Sequence, residues 1–130
     1  MIPTRYYKFA DIALQLAEEA DNSMTHSLCA LVVKKSRVIS IGYNSRKTSP
    51  KMTTRMQMYH AEYHAILRCS ESDLRGCDVV VARARSKGQA GLARPCSACE
   101  ATLRERGIRR VIYTTNYDDS ATSAIEIIRL

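Results

Sequence analysis

Tryptophan is absent from this 130-residue chain, and Phe9 is its one phenylalanine. Proteins that grip single-stranded nucleic acid stack its bases on aromatic rings, and here the loops offer only Tyr43, Tyr59 and Tyr117. No apolar run approaches the ~20 residues that cross a bilayer. Met1-Ile2-Pro3-Thr4-Arg5 does not open a secretory signal. The expected location is therefore the cytoplasm, with no membrane partner. Glycine (5) and proline (3) are scarce, and no internal repeat or low-complexity segment is visible. Five cysteines are an odd number in a chain without a disulfide-type framework, which argues for reduced thiols.

What is present fits one globular domain, residues 1–130, with 45% hydrophobic residues and enough length for a single core. The formal net charge is +7, and it is uneven. Residues 1–21 hold Arg5 and Lys8 against Asp11, Glu18, Glu19 and Asp21, while the remaining 18 basic residues face 9 acidic ones. A basic surface concentrates anions and favours nucleotides or nucleic acid as partners. The clusters Arg83/Arg85/Lys87 and Arg104/Arg106/Arg109/Arg110 are either the footprint of single-stranded nucleic acid or ordinary solvated edges.

Hydrophobic spacing supplies the elements. Tyr6, Phe9, Ala10, Ala13, Leu16, Ala17 and Ala20 recur at three- and four-residue intervals, predicting an amphipathic helix over about 4–21 that covers a sheet. Residues 28–33 and 38–41 read as a β-hairpin, the first strand apolar throughout and hence interior, the second ended by Gly42. A long loop follows, 43–59, carrying Arg46, Lys47, Lys51 and Arg55 beside Met52, Met56 and Met58. It either meets a phosphate-bearing substrate or packs its methionines on a neighbouring subunit. A helix over 60–70, a strand over 77–84, a flexible glycine-containing link over 86–91, a helix from Cys96 to Gly107 and a strand over 111–115 complete the order. The tail 120–130 is ambiguous between a helix capped by Ser120 and a strand in which Ile125 and Ile127 alternate. Such alternation predicts an α/β fold, a three-layer α-β-α sandwich with a mixed central sheet.

The chemistry concentrates in His60-Ala61-Glu62 and Pro95-Cys96-Ser97-Ala98-Cys99. One imidazole and two thiolates are one ligand short of a closed structural zinc site, and the position left open takes water whose pKa zinc lowers to about 7. Glu62, two residues from His60, lies on another helical face and is placed to move protons. Cys96 and Cys99 are one helical turn apart, and Pro95 stands where a missing N–H costs nothing. Zinc would sit between two helix N-termini. Two other readings compete: a thioredoxin-like redox pair, which leaves His60 and Glu62 idle, and a closed zinc site with His64, at i+4 from His60, as fourth ligand. Otherwise His64 is a half-buried polar residue behind the site, hydrogen-bonded to a backbone carbonyl.

Gly42-Tyr43-Asn44, His60-Ala61-Glu62 and Pro95-Cys96-Ser97-Ala98-Cys99 together resemble the cytidine/deoxycytidylate-type zinc-dependent deaminase superfamily, whose signature is H-x-E…P-C-x-x-C. The resemblance spans about residues 5–117. It looks most like the deoxycytidylate and tRNA deaminase branch, and like small phage and bacterial deaminases in Gly91-Leu92-Ala93-Arg94-Pro95-Cys96. It implies one Zn²⁺ per chain on His60, Cys96 and Cys99, Glu62 as proton shuttle, Asn44 on the sugar and the Ala61 amide on the base carbonyl. His26 is a further candidate for the pocket mouth, and Tyr113 and Tyr117 should lie near it. The resemblance implies hydrolysis of cytosine to uracil in a free nucleoside or nucleotide with release of ammonia. Cytosine, or less readily adenine, in single-stranded DNA or RNA is the alternative. It also implies a homo-oligomer. Two departures stand out. Arg94 occupies the place of a glutamate in tRNA adenosine deaminases, and 45–59 lacks the extra cysteine and histidine with which many deoxycytidylate deaminases hold a second zinc.

Overall fold

The computed structural model describes residues 2–20, 27–44, 60–86, 89–115 and 125–130. His26, the loop from 45 to 59 with its basic and methionine side chains, Lys87, Tyr117 and Ser120 lie outside the described residues.

The chain runs α1 (Thr4–Glu19), β1 (Ser27–Lys34), β2 (Arg37–Tyr43), α2 (Ala61–Leu67), α3 (Glu71–Leu74), β3 (Asp78–Ser86), β4 (Gln89–Gly91), α4 (Ser97–Glu105), β5 (Arg110–Thr114) and β6 (Ile125–Arg129). The strand order is β2-β1-β3-β5-β6, with β3 and β5 parallel and the other pairs antiparallel. The sheet is mixed and flanked by helices on both faces, as the sequence predicts. α1 covers one face with Tyr6, Phe9, Ala10, Ala13, Leu14 and Ala17 against Leu31, Val33, Val80 and Ile112. Leu14 takes the buried place expected of Leu16, which is only half-buried. α2 and α4 cover the other face, over Ala30, Val32, Val79, Val81 and Val111. β1 and β3 are buried on both faces because both layers press on them.

Three elements differ from expectation. The helix predicted over 60–70 stops at Leu67, where Arg68 and Cys69 donate to Ala65 and Ile66 in tightened i→i+3 bonds, and a one-turn helix restarts at Glu71. The link 86–91 is not all irregular: Gln89–Gly91 forms β4, which pairs with the outer half of β3. β5 pairs with Asp78–Val81, and β4 takes over the same flank from Arg83 onward. The tail resolves as a strand, β6, antiparallel to β5. Gly107 does end α4 as predicted, with φ +87°, and the Gly107 and Ile108 N–H groups reach back to Arg104 and Leu103 at 3.1 Å each.

At the amino end of β3, Asp78 is buried and paired with Arg110 through two 3.1 Å contacts, and Tyr6 donates its hydroxyl to the same carboxylate. This locks α1 to the sheet. It also removes Arg110, whose side chain is only 13% exposed, from the basic cluster read as a nucleic-acid footprint. Arg104 is likewise engaged with Glu100, at 3.3 Å.

β2 does not end before Gly42 but passes through it, for a packing reason. A Cβ there would lie 2.3 Å from Ala65 N and 2.5 Å from Ala61 O, both backbone atoms of α2. Glycine lets α2 lie directly on β2, where Ser40 Oγ donates to Ala65 O at 2.7 Å. Gly42→Ala is expected to destabilise the fold by about 1–3 kcal/mol, measured by thermal melting. Because α2 follows directly on His60, metal affinity should fall in parallel. Wild-type melting and metal content in that variant would refute the close approach.

Candidate active site

His60 and Cys96 occupy equivalent places: each is the last extended residue before a helix, His60 before α2 and Cys96 before α4. Pro95, one place before the Cys96 cap, keeps Arg94 out of helical backbone, so α4 starts no earlier. Cys99 follows one turn in, and its backbone N–H donates to Cys96 Sγ at 3.5 Å. His60 Nδ1 lies 3.1 Å from Cys99 Sγ and 3.7 Å from Cys96 Sγ, and the three donor atoms lie within 4.8 Å of one another. Bond lengths to zinc of about 2.1 Å (nitrogen) and 2.3 Å (sulfur) at a tetrahedral angle put two ligand atoms about 3.6 Å apart. The donor set fits that ion in number, type and spacing.

Burial grades across the cluster, with Cys96 exposed, His60 half-buried and Cys99 buried. Burial pushes the Cys99 thiol up and the His60 imidazole down, each toward its uncharged form. The imidazole of His60 lies against both sulfurs, a third donor that a thioredoxin-like pair has no use for and a zinc site requires. His64 does not join the cluster. Its Nδ1 accepts from Tyr43 N–H at 3.0 Å and sits 3.2 Å from Tyr43 O, which ties α2 to the end of β2. Among the described residues the metal-binding set is His60, Cys96 and Cys99 alone.

Glu62 is 4% exposed, in the first turn of α2, and hydrogen-bonds to Cys99. Burial pushes its carboxyl up to about 6, opposed by its own backbone N–H and by Cys99. A carboxylate that titrates near neutrality can both take and return a proton. Ala61, also buried, occupies the first position of α2, where backbone N–H groups lack partners within the helix. Asn44 is 6% exposed, and its Oδ1 accepts from Leu28 N–H at 2.9 Å. Tyr113 lies under the cysteine-bearing segment. It receives Arg94 at 3.1 Å and donates to Glu126 at 2.8 Å, so Arg94 braces the sheet edge.

The family of the cytidine and deoxycytidylate deaminase zinc-binding region matches residues 3–115. This chain belongs to that family. As a member it is a zinc-dependent hydrolytic deaminase. The deoxycytidylate deaminase of Mycobacterium phage D29 is 30% identical over 126 residues, covering 81% of this chain and 90% of that one. The fold of this deaminase is shared with the dCMP deaminase of cyanophage S-TIM5 (22% identity, TM-score 0.61, 92% of this chain and 89% of that one). It is shared too with the cytidine deaminase of Burkholderia pseudomallei (18% identity, TM-score 0.55, 99% and 93%).

One side chain on the site's side of the sheet is not singled out by the sequence. Arg83 follows Val79 and Val81 at two-residue spacing, so it projects on the face of β3 that carries α2 and α4. Strand alternation was the available signal; grouping it with Arg85 and Lys87 as a charge cluster hid it.

Proposed function

We propose that the whole chain, residues 1–130, is a single domain that converts cytosine to uracil in a free nucleotide of the deoxycytidylate type and releases ammonia. The observation that carries the reading is a buried carboxylate, Glu62, in the first turn of the helix that His60 caps and beside a three-donor His60/Cys96/Cys99 cluster. The phage D29 relative, named for deoxycytidylate, supports the substrate class.

In this reading His60, Cys96 and Cys99 hold one zinc ion. Zinc, when bound, supplies Lewis acidity and lowers the pKa of water at its open position. Glu62 takes a proton from the attacking water as it adds to C4 of the base. It delivers that proton to N3, then takes the proton of the new C4 hydroxyl and passes it to the amine, which leaves as ammonia as the C4–N bond breaks. The Ala61 N–H donates to the base carbonyl, and Asn44 holds the sugar. Positive charge serves substrate phosphate rather than a polynucleotide track, since Arg110 and Arg104 are spent on Asp78 and Glu100. Assembly with further copies, carried by the resemblance, and a cytoplasmic location, the expectation from sequence, complete the reading.

The test is ammonia release from cytidine, deoxycytidine, CMP, dCMP, dCTP, adenosine and a single-stranded oligonucleotide, each at two salt concentrations. A cytosine mononucleotide is expected to give the highest kcat/KM. An oligonucleotide turned over faster, with steep loss in salt, would transfer the activity to nucleic acid.

A further inference from the structure

Buried polar atoms are almost always hydrogen-bonded, and an exception calls for a reason. Among the described residues one buried side-chain nitrogen or oxygen has no partner: Nε of Arg83. Arg83 stands near the carboxyl end of β3, and ligands of sheets with parallel strands gather outside those ends. Its strand neighbour on one side is Leu28 of β1, whose backbone brackets Asn44, accepting from Asn44 N–H at 3.4 Å and donating to its Oδ1. On the other side Arg83 N–H donates to Thr114 Oγ1 at 3.2 Å. Thr114 O in turn holds Ala93 N–H at 2.9 Å, and Cys96 follows Ala93 by three positions, at most about 11 Å of chain. Arg83 therefore sits between the residue read as the sugar contact and the segment that carries the cysteines.

The surroundings accommodate an arginine stem. Arg83 pairs across the hairpin with Gly91, where a Cβ would lie 3.1 Å from Arg83 Cδ and 2.9 Å from Arg85 Cγ. The neighbouring guanidinium groups are otherwise engaged, Arg85 Nε on Ala90 O at 3.0 Å and Arg94 on Tyr113. We propose that Arg83 anchors the 5′-phosphate of a free nucleotide at the mouth of this site. The guanidinium fork suits bidentate phosphate contact through its terminal nitrogens, and Nε, which no described group holds, leaves the fork able to turn toward it. The inference rests on the reading of the site as a cytosine nucleotide deaminase, and it adds how nucleotide is told from nucleoside.

Equilibrium binding of the product pair dUMP and deoxyuridine tests it without requiring turnover. Wild-type protein should prefer dUMP by about 10- to 100-fold, the worth of a charge-assisted bidentate contact. In Arg83→Met, which keeps the stem and removes the charge, that ratio should collapse toward one. Arg83→Gln is read by the same ratio, so failure of one variant to fold leaves the other. The anchor is overturned by a wild-type ratio near one, by a ratio that survives substitution, or by equal loss of both ligands. Failure of both variants to fold also overturns it, since the guanidinium would then be structural. A single-stranded oligonucleotide bound as tightly as dUMP overturns the free-nucleotide assignment. Arg83-dependent dUMP binding in a chain that releases no ammonia from dCMP would support the anchor and sink the activity, so the two failures are distinct.

Discussion

Glu62→Gln is expected to lower kcat by about 10²–10⁴, the usual contribution of a positioned acid–base group, while zinc stays at one per chain. Glutamine keeps the length of the side chain and loses only the ability to cycle a proton. Glu62 is buried against Cys99 and belongs to no ion pair among the described residues, so its exchange for a neutral amide removes a buried charge rather than a salt bridge. Stability should therefore hold or rise slightly, and substrate binding should persist. The measurement is single-turnover ammonia release alongside metal content by atomic emission. A Glu62→Gln variant that turns over at the wild-type rate removes the proton shuttle. One that has lost its zinc shows instead that the carboxylate maintains the metal site.

Metal removal should have the larger effect on the molecule as a whole. His60 belongs to the approach to α2 and Cys96 and Cys99 to α4, so the three donors join two helices through one ion. Chelation is expected to abolish turnover and to lower the melting temperature, because an ion that binds only the folded state adds stability by mass action. Added zinc should restore both. Cys99→Ser should mimic the loss: burial disfavours charge at this position, and serine offers the metal no thiolate. Zinc uptake must displace the proton that burial holds on the Cys99 thiol, so affinity should fall as pH is lowered. Full activity after exhaustive chelation, with no metal left by emission spectroscopy, would refute the hydrolytic account.

Much of this was legible in the residues because local rules and global packing agree. The period-3.6 stripe of α1, the all-apolar β1 and the Gly107 stop were each determined by neighbours in sequence. So was the metal set, since His60, Cys96 and Cys99 are defined by spacing and by the helix starts beside them. What remained hidden depends on contacts far apart in the chain. Gly42 looks like a strand terminator, yet the absence of a side chain there is a helix-packing feature, visible only once Ala61 and Ala65 lie over it. Arg110 looks like one of four surface arginines until Asp78, thirty-two positions earlier, is found beside it. Gln89–Gly91 is too short and too rich in small residues to announce a strand; β3 supplies the edge that makes it one. His64 has two local readings, a fourth zinc ligand and a polar residue behind the site, and the proximity of Tyr43 bears out the second.

The hand-over along the flank of β3 has a consequence for how this deaminase tolerates change. Thr114 Oγ1 accepts from Arg83, as the chain enters the hairpin, and donates to Gly91 O at 2.8 Å, as it leaves. Both limbs, which precede the cysteines in the chain, are thus referenced to one fixed point on β5. Extra residues placed between Ser86 and Gln89 would lengthen the tip, but the approach to Pro95 would still be measured from Thr114. A change in the number of residues there is thereby uncoupled from the spacing of the zinc-binding thiols, whose register is kept by Thr114.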